Sequence, residues 1–215
     1  MGKDKLRKFA EINTFPNVYQ LDEGKVLKGK WAREHFKNNN PVVLELACGK
    51  GEYSVGLAKL FPNKNFIGVD LKGNRIWRGA RTGMDEGIPN LAFLRIQIED
   101  IIDYFGENEV DEIWITFPDP QPQESREKKR LTYPGFLSKY RAFLKPGGYV
   151  NLKTDNDGLY AYTVEKVEEL GLRCMKKTEQ LYQSEFADSV LSIKTHYERI
   201  YLKHDKNINY IQFSL

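Results

Sequence analysis

The chain has 215 residues, 40% of them hydrophobic, enough to bury a substantial core as one large domain or one domain with appendages. Its 33 Lys and Arg against 30 Asp and Glu leave a formal charge of +3, too mild a balance to establish a polyanionic partner by itself. No apolar run is long enough to span a membrane, the charged start MGKDKLRKF lacks the apolar stretch of a signal peptide, and Cys48 and Cys174 sit in no metal or disulfide pattern. The expectation is therefore a cytoplasmic protein without a metal, as a monomer or homodimer.

Residues 1–40 lack clear periodicity and carry Lys3, Lys5, Arg7 and Lys8, which predicts a basic arm plus one helix around Trp31 to Phe36. The main domain is expected over 41–215. From Pro41 short β-rich runs alternate with amphipathic stretches, the rhythm of βαβ units. Strands are predicted at Val42 to Leu46, Phe66 to Asp70, Leu91 to Ile96, Glu112 to Phe117 and Tyr149 to Thr154, with helices between them. Two later runs, Leu172 to Lys177 and His196 to Leu202, are expected to add strands after a helix at Tyr160 to Leu170. The sum is an α/β fold with a doubly wound, mostly parallel sheet of seven strands. The near-continuous apolar run Val42-Val43-Leu44-Glu45-Leu46 suits a strand covered on both faces.

That first strand runs into Ala47-Cys48-Gly49-Lys50-Gly51, a tight turn before a helix from Glu52. Small residues such as Gly49 and Gly51 let the chain turn sharply and a ligand approach the backbone. Ser54 stands where a dinucleotide fingerprint has its third glycine, so this turn alone is compatible with nicotinamide and adenosylmethionine cofactors alike. Asp70, about twenty residues on at the end of the second strand, can accept both ribose hydroxyl protons of an adenosine moiety. Glu45 is an acidic side chain inside a strand, which calls for either a cationic ligand group or an internal partner.

The fourth strand ends in Phe117-Pro118-Asp119-Pro120-Gln121-Pro122. Ligands bind at the carboxyl ends of strands in such sheets, so Asp119 is expected to face the crevice on a turn stiffened by proline. Arg126, Lys128, Lys129 and Arg130 follow in a loop beside it, and Lys72, Arg75, Arg78 and Arg81 form a second basic series. Together they make a phosphate-backbone footprint plausible. At the late motifs Lys153-Thr154-Asp155-Asn156 and Thr195-His196-Tyr197-Glu198, Asp155 and Glu198 are expected to converge on the same rim. His196 reads as a surface or packing residue, and Tyr197 as a base-stacking or core residue.

With these residues in view, the chain resembles the bacterial tRNA (guanine-N7-)-methyltransferase family (TrmB) over most of residues 40–200. ELACGKG is similar to its cofactor turn, GVD to its ribose-binding strand end, FPDP with KKRLTY to its signature, and KTDN and THYE to its substrate motifs. The resemblance implies a Rossmann-like class I methyltransferase. It implies S-adenosylmethionine contacts at Glu45, Asp70, Gln97 and Asp119, with Asp119 as the active-site carboxylate. It also implies tRNA contacts at Gln123, Asp155, Thr195, His196, Tyr197 and Glu198. The chain departs from the family pattern at Ala47, where a glycine is usual, at Gln97, where an acid is common, and at Gln121, where Trp is common. Gln123 stands where a substrate-binding lysine is frequent, and Lys128, Lys129 and Arg130 are placed to make the phosphate contacts a neutral Gln123 cannot.

Guanine N7 presents a free lone pair on the major-groove edge, so the implied reaction needs no proton removed beforehand. The rival readings are a class I methyltransferase acting on another RNA position, a protein or a small molecule; a nicotinamide-dependent oxidoreductase; and a non-catalytic RNA-binding module on the same fold.

Overall fold

The computed structural model describes residues 3–204 and 206–215. It contains α1 (Lys3–Glu11), β1 (Val18–Gln20), α2 (Asp22–Lys25), β2 (Val42–Leu46), α3 (Glu52–Leu60), β3 (Asn65–Asp70), α4 (Gly73–Asp85), β4 (Leu91–Arg95), β5 (Val110–Thr116), α5 (Pro134–Arg141), β6 (Leu144–Thr154), α6 (Asp157–Glu169), β7 (Arg173–Thr178), α7 (His196–Leu202) and β8 (Asn209–Ser214). A π-helical turn occupies Trp31–His35.

All strands join one sheet in the order β1-β4-β3-β2-β5-β6-β8-β7. The pairs from β1 through β6 are parallel, and β8 alone runs antiparallel to both of its neighbours. Two apolar layers sandwich the sheet. Trp31, Phe105, Leu137, Tyr140 and Val167 lie in one, and Ile12, Tyr53, Ile76, Leu191 and Tyr210 in the other. Every residue of β2 and β3 is buried, as strands covered on both faces require.

Three sequence expectations need correction. The sheet has eight strands rather than seven. The additional one, β1, pairs with β4 at the sheet edge, and its three residues are too few to display a period of two. Residues His196–Leu202 form a helix, not a strand: Thr195 accepts the Glu198 amide while the Glu198 carboxylate accepts the Thr195 amide, a capping box that starts α7. The last strand is the apolar tail Asn209–Ser214, which inserts between β6 and β7.

The segment before β2 packs on the sheet as well. α1 lies against α4, and the Trp31 indole donates to the Tyr104 carbonyl at 2.9 Å inside the core.

Candidate active site

The strand order reverses between β2 and β5, so their carboxyl ends flank the crevice where doubly wound sheets take ligands. The turn leaving β2 is left-handed at alternate residues: Ala47 has φ 57°, Gly49 56° and Gly51 69°. Gly51 is required twice over, by its left-handed φ and because a Cβ there would strike the Phe93 ring. A Cβ on Gly49 would meet nothing within 4 Å, so that residue turns bare backbone toward open space. The Asp70 carboxylate ties the turn to β3 by accepting the Gly49 amide at 2.9 Å and the Lys72 amide at 2.7 Å. A carboxylate has about four acceptor sites, so two remain for a ligand's hydroxyls.

A cleft of about 280 Å³ opens beside this turn. Asp70 and Gln97 line one side of it and Asp119 the other, over apolar Leu71, Ile96 and Ile98. Gln97 is exposed and stands just ahead of the 3-10 turn Ile98–Asp103. Glu99 also lines the cleft, an acidic wall that the sequence reading missed although it lies two residues beyond Gln97. Glu45 lines no cavity in this region. It is 2% exposed, with Ser54 donating through amide and hydroxyl and Thr116 through its hydroxyl. Burial pushes its carboxyl up to about 7, against the lowering effect of these bonds.

The turn after β5 is strained. Phe117 (φ 49°) and Gln121 (φ 46°) both adopt left-handed backbone immediately before a proline. Its ties are specific. The Phe117 amide donates to the Lys153 carbonyl at 2.8 Å, and Arg130 donates to the Gln121 carbonyl at 3.2 Å while stacking 4.3 Å above Tyr162. Asp119 is held exposed between these ties, its Oδ1 accepting the Gln121 amide at 3.2 Å. Strain maintained by surrounding contacts is a common mark of a functional turn. Arg130 thus serves as a strap. Lys128 and Lys129 are exposed, and neither forms an ion pair among the described residues.

The late motifs divide. Thr195 and Tyr197 line a small cavity of about 50 Å³ that shares Ala47 with the larger cleft and adds Lys50 and Arg75. His196 is exposed, and its amide donates to Glu52 at 2.7 Å. Asp155 is partly buried and meets Lys206 at 3.3 Å. Gln123 is exposed at the start of the turn Glu124–Lys129. Glu198 departs from expectation. It is 0% exposed and paired with Lys153 at 2.8 Å, so it does not converge with Asp155 on an open rim. Arg75 belongs to the basic series legible in the sequence, whereas Lys50 and Lys153 do not read as site residues there because only the fold brings them here.

The lining suits an adenosyl cofactor. An acceptor carboxylate stands at the end of β3, apolar side chains flank a flat space, and Gly49 leaves room against the backbone. Among the described residues no group of three His, Cys, Asp or Glu could hold a metal ion, and no helix is long and apolar enough to cross a membrane.

Residues 39–210 match the model of a family described as "Putative methyltransferase". The chain is 48% identical to a tRNA (guanine-N(7)-)-methyltransferase of Bacteroides fragilis, covering 100% of this chain and 87% of that one. It is 47% identical to one of Christiangramia forsetii, covering 100% and 99%. Among solved structures, the 16S rRNA methyltransferase KamB superposes with a TM-score of 0.65 at 13% identity, over 87% of this chain and 94% of that one. A SAM-dependent methyltransferase from Aquifex aeolicus gives 0.56 at 14% identity, over 88% and 95%. At such identities these two speak for the fold alone.

Proposed function

Because the chain belongs to the tRNA (guanine-N(7)-)-methyltransferase family, we propose that its crevice performs that reaction with the residues described above. The protein transfers a methyl group from S-adenosylmethionine to N7 of a guanosine in tRNA. The observation that carries the assignment of residues is one cleft with Asp70 and Gln97 on one wall and Asp119 on the other, at the sheet's switch point.

Asp70 holds the ribose hydroxyls, Gln97 and Ile98 flank the adenine, and Gly49 and Gly51 let the methionine end lie against the backbone. The Glu45 carboxyl, in its ionised form, acts on the cofactor's ammonium from beneath the turn. When bound, S-adenosylmethionine supplies a methyl made electrophilic by its sulfonium.

The chain's own work is placement and field. Guanine N7 attacks with a lone pair, so no general base is needed, and the base becomes cationic as the methyl arrives. Asp119, fixed by the proline turn, supplies the negative field that tolerates this charge. Thr195, Tyr197 and Asp155 present the rim that receives the guanine. Lys128 and Lys129 take phosphates, together with Lys72 just before α4 and Arg75 and Arg78 on it. The target is a guanosine of the variable loop, and the working compartment is the cytoplasm, where tRNA is held. Residues 41–215 carry the catalytic crevice, and 1–40 form an N-terminal extension that adds β1 and Trp31 to the same sheet and core.

The test is incubation with methyl-labelled S-adenosylmethionine and separate pools of tRNA, DNA and protein, followed by nucleoside analysis. Label recovered only as 7-methylguanosine from tRNA is expected. Label in another nucleoside or in protein, or no transfer at all, overturns the reading.

A further inference from the structure

Lys153, near the carboxyl end of β6, is 0% exposed. An ammonium removed from water is costly unless its three protons all find acceptors. Here four acceptors surround Nζ: the Leu191 carbonyl at 2.7 Å, a Glu198 carboxylate oxygen at 2.8 Å, the Ile193 carbonyl at 3.2 Å and the Tyr182 hydroxyl oxygen at 3.3 Å. Burial nevertheless pulls the lysine's pKa below its ordinary value, with Glu198 opposing. The rings of Tyr53, Tyr182 and Phe117 stand 5.5, 5.6 and 5.9 Å from the charge.

These partners belong to the segment that forms one wall of the small cavity. Glu198 also accepts the Tyr182 hydroxyl and, at 3.3 Å, the Thr195 amide, so the pair fixes the first turn of α7. Leu191 and Ile193 pack on the core, but the segment's other hydrogen bonds to the body are few, chiefly the Tyr53 hydroxyl on the Val190 carbonyl at 3.0 Å and the His196 amide on Glu52 at 2.7 Å. The carbonyl of Lys153 meanwhile accepts the Phe117 amide at the start of the Asp119 turn. One residue thus touches both strands of the machinery, the carboxylate turn through its backbone and the Thr195–Tyr197 wall through its side chain. An apolar pair of equal volume would serve stability as well as a buried ion pair does. Unlike an apolar pair, the ammonium fixes the direction of three specific acceptors.

We infer that Lys153 is a positioning residue for methyl transfer. Its ammonium, with Glu198 as counter-ion, fixes residues 191–198 to the end of β6 so that Thr195 and Tyr197 face the transfer site. The inference rests on the methyltransferase reading given above.

Two variants test it, Glu198→Gln and the double Lys153→Met/Glu198→Gln. Glutamine keeps the capping geometry, and the double variant leaves no unpaired buried charge. Single-turnover transfer at saturating tRNA and S-adenosylmethionine separates a loss of folded protein, which lowers amplitude, from misplacement, which lowers the rate constant. The expected result is a rate constant at least about tenfold lower at undiminished amplitude, since small displacements from the attack geometry are costly. Cofactor and tRNA affinities should stay within about threefold, because the basic surface is untouched. Amide hydrogen exchange over 191–198 should quicken while that of β2 and β3 does not. A wild-type rate constant in either folded variant, or unchanged exchange over 191–198, overturns the inference. If the wild-type protein itself makes no 7-methylguanosine, the functional reading fails instead, and the exchange comparison still decides the anchoring.

Discussion

At the adenosine end of the crevice most of the decisive contacts are short in sequence, Thr116 to Glu45 across 71 residues being the exception. Asp70 reaches the Gly49 amide 21 residues back and the Lys72 amide two residues on, and Ser54 meets Glu45 across nine. At the substrate wall they are long and run through side chains. Lys153 reaches Leu191 and Ile193 across 38 and 40 residues, and Tyr53 reaches Val190 across 137. The first end is a strand–turn–helix unit that a common cofactor imposes on many sequences. The second is an assembly between distant elements, free to vary with the RNA it receives. If this contrast holds, changes at the first end should alter cofactor affinity and stability, and changes at the second should alter rate.

The largest expected effect is at Glu45. Its carboxyl rises from 4.5 to about 7 in the folded chain. Between those values the folded state keeps a proton that the unfolded state has released, so stability falls as pH rises through this window and levels off above it. At 1.36 kcal/mol per pH unit the loss is at most about 3 kcal/mol. Glu45→Gln should abolish that slope and raise the stability of the cofactor-free protein at pH 8 while weakening S-adenosylmethionine binding. Urea unfolding at pH 5 and pH 8, with calorimetry of the cofactor, reads both. A wild-type stability flat across the window would mean that Glu45 is ionised throughout and that its hydrogen bonds outweigh its burial.

Next in size is Asp70→Ala, which removes the acceptor for the ribose and for the Gly49 and Lys72 amides. A loss of about 1.5 to 3 kcal/mol in S-adenosylmethionine binding is expected, the scale of hydrogen bonds to a charged group. An unchanged dissociation constant in a folded variant would take the cofactor out of this cleft.

Asp119→Asn probes the boundary between the two regions. Asparagine keeps the Oδ1 that accepts the Gln121 amide, so the turn should stand while the charge disappears. Because Asp119 is exposed, solvent weakens its field, and the transfer rate should fall about tenfold rather than by the hundreds seen when a buried electrostatic group is lost. tRNA affinity should stay within about threefold. Rescue of the variant by external bases would point to proton removal and against the lone-pair mechanism.

The same contrast decides what the sequence discloses. Val42 to Leu46 and the ends of the second and fourth strands were legible because hydrophobic runs mark the strands and the turn residues follow directly. Asp70 and Asp119 line one cleft accordingly, with Gln97, which only the family resemblance implies, beside them. The wall did not. The run His196 to Leu202 reads as a strand by composition, although the T-x-x-E spacing from Thr195 is a helix-start signature. The tail at Asn209–Ser214 shows no sign of its place between β6 and β7, because antiparallel insertion depends on partners far along the chain. Lys153 and Glu198 stand 45 positions apart, and only the fold turns two ordinary charged residues into a buried pair.

The smallest effect is expected at Ala47, where the family usually has glycine. Its φ of 57° places an L-residue in the left-handed region, at a cost of about 1 to 2 kcal/mol. Ala47→Gly relieves that cost, but it gives the unfolded chain more freedom, a penalty of about 0.5 to 1 kcal/mol, and removes a methyl packed against the core. The net gain should stay below about 1 kcal/mol, or roughly 1 to 3 °C in melting temperature for a chain of this size. S-adenosylmethionine affinity should shift by less than about twofold, since the Asp70 acceptor and the open backbone at Gly49 are unchanged. Differential scanning calorimetry with and without cofactor measures both. A fall in melting temperature would show that the Ala47 methyl, and not the backbone bonds to Asp70, holds this turn. The cofactor end would then depend on side-chain packing just as the substrate wall does, and the contrast between them would collapse.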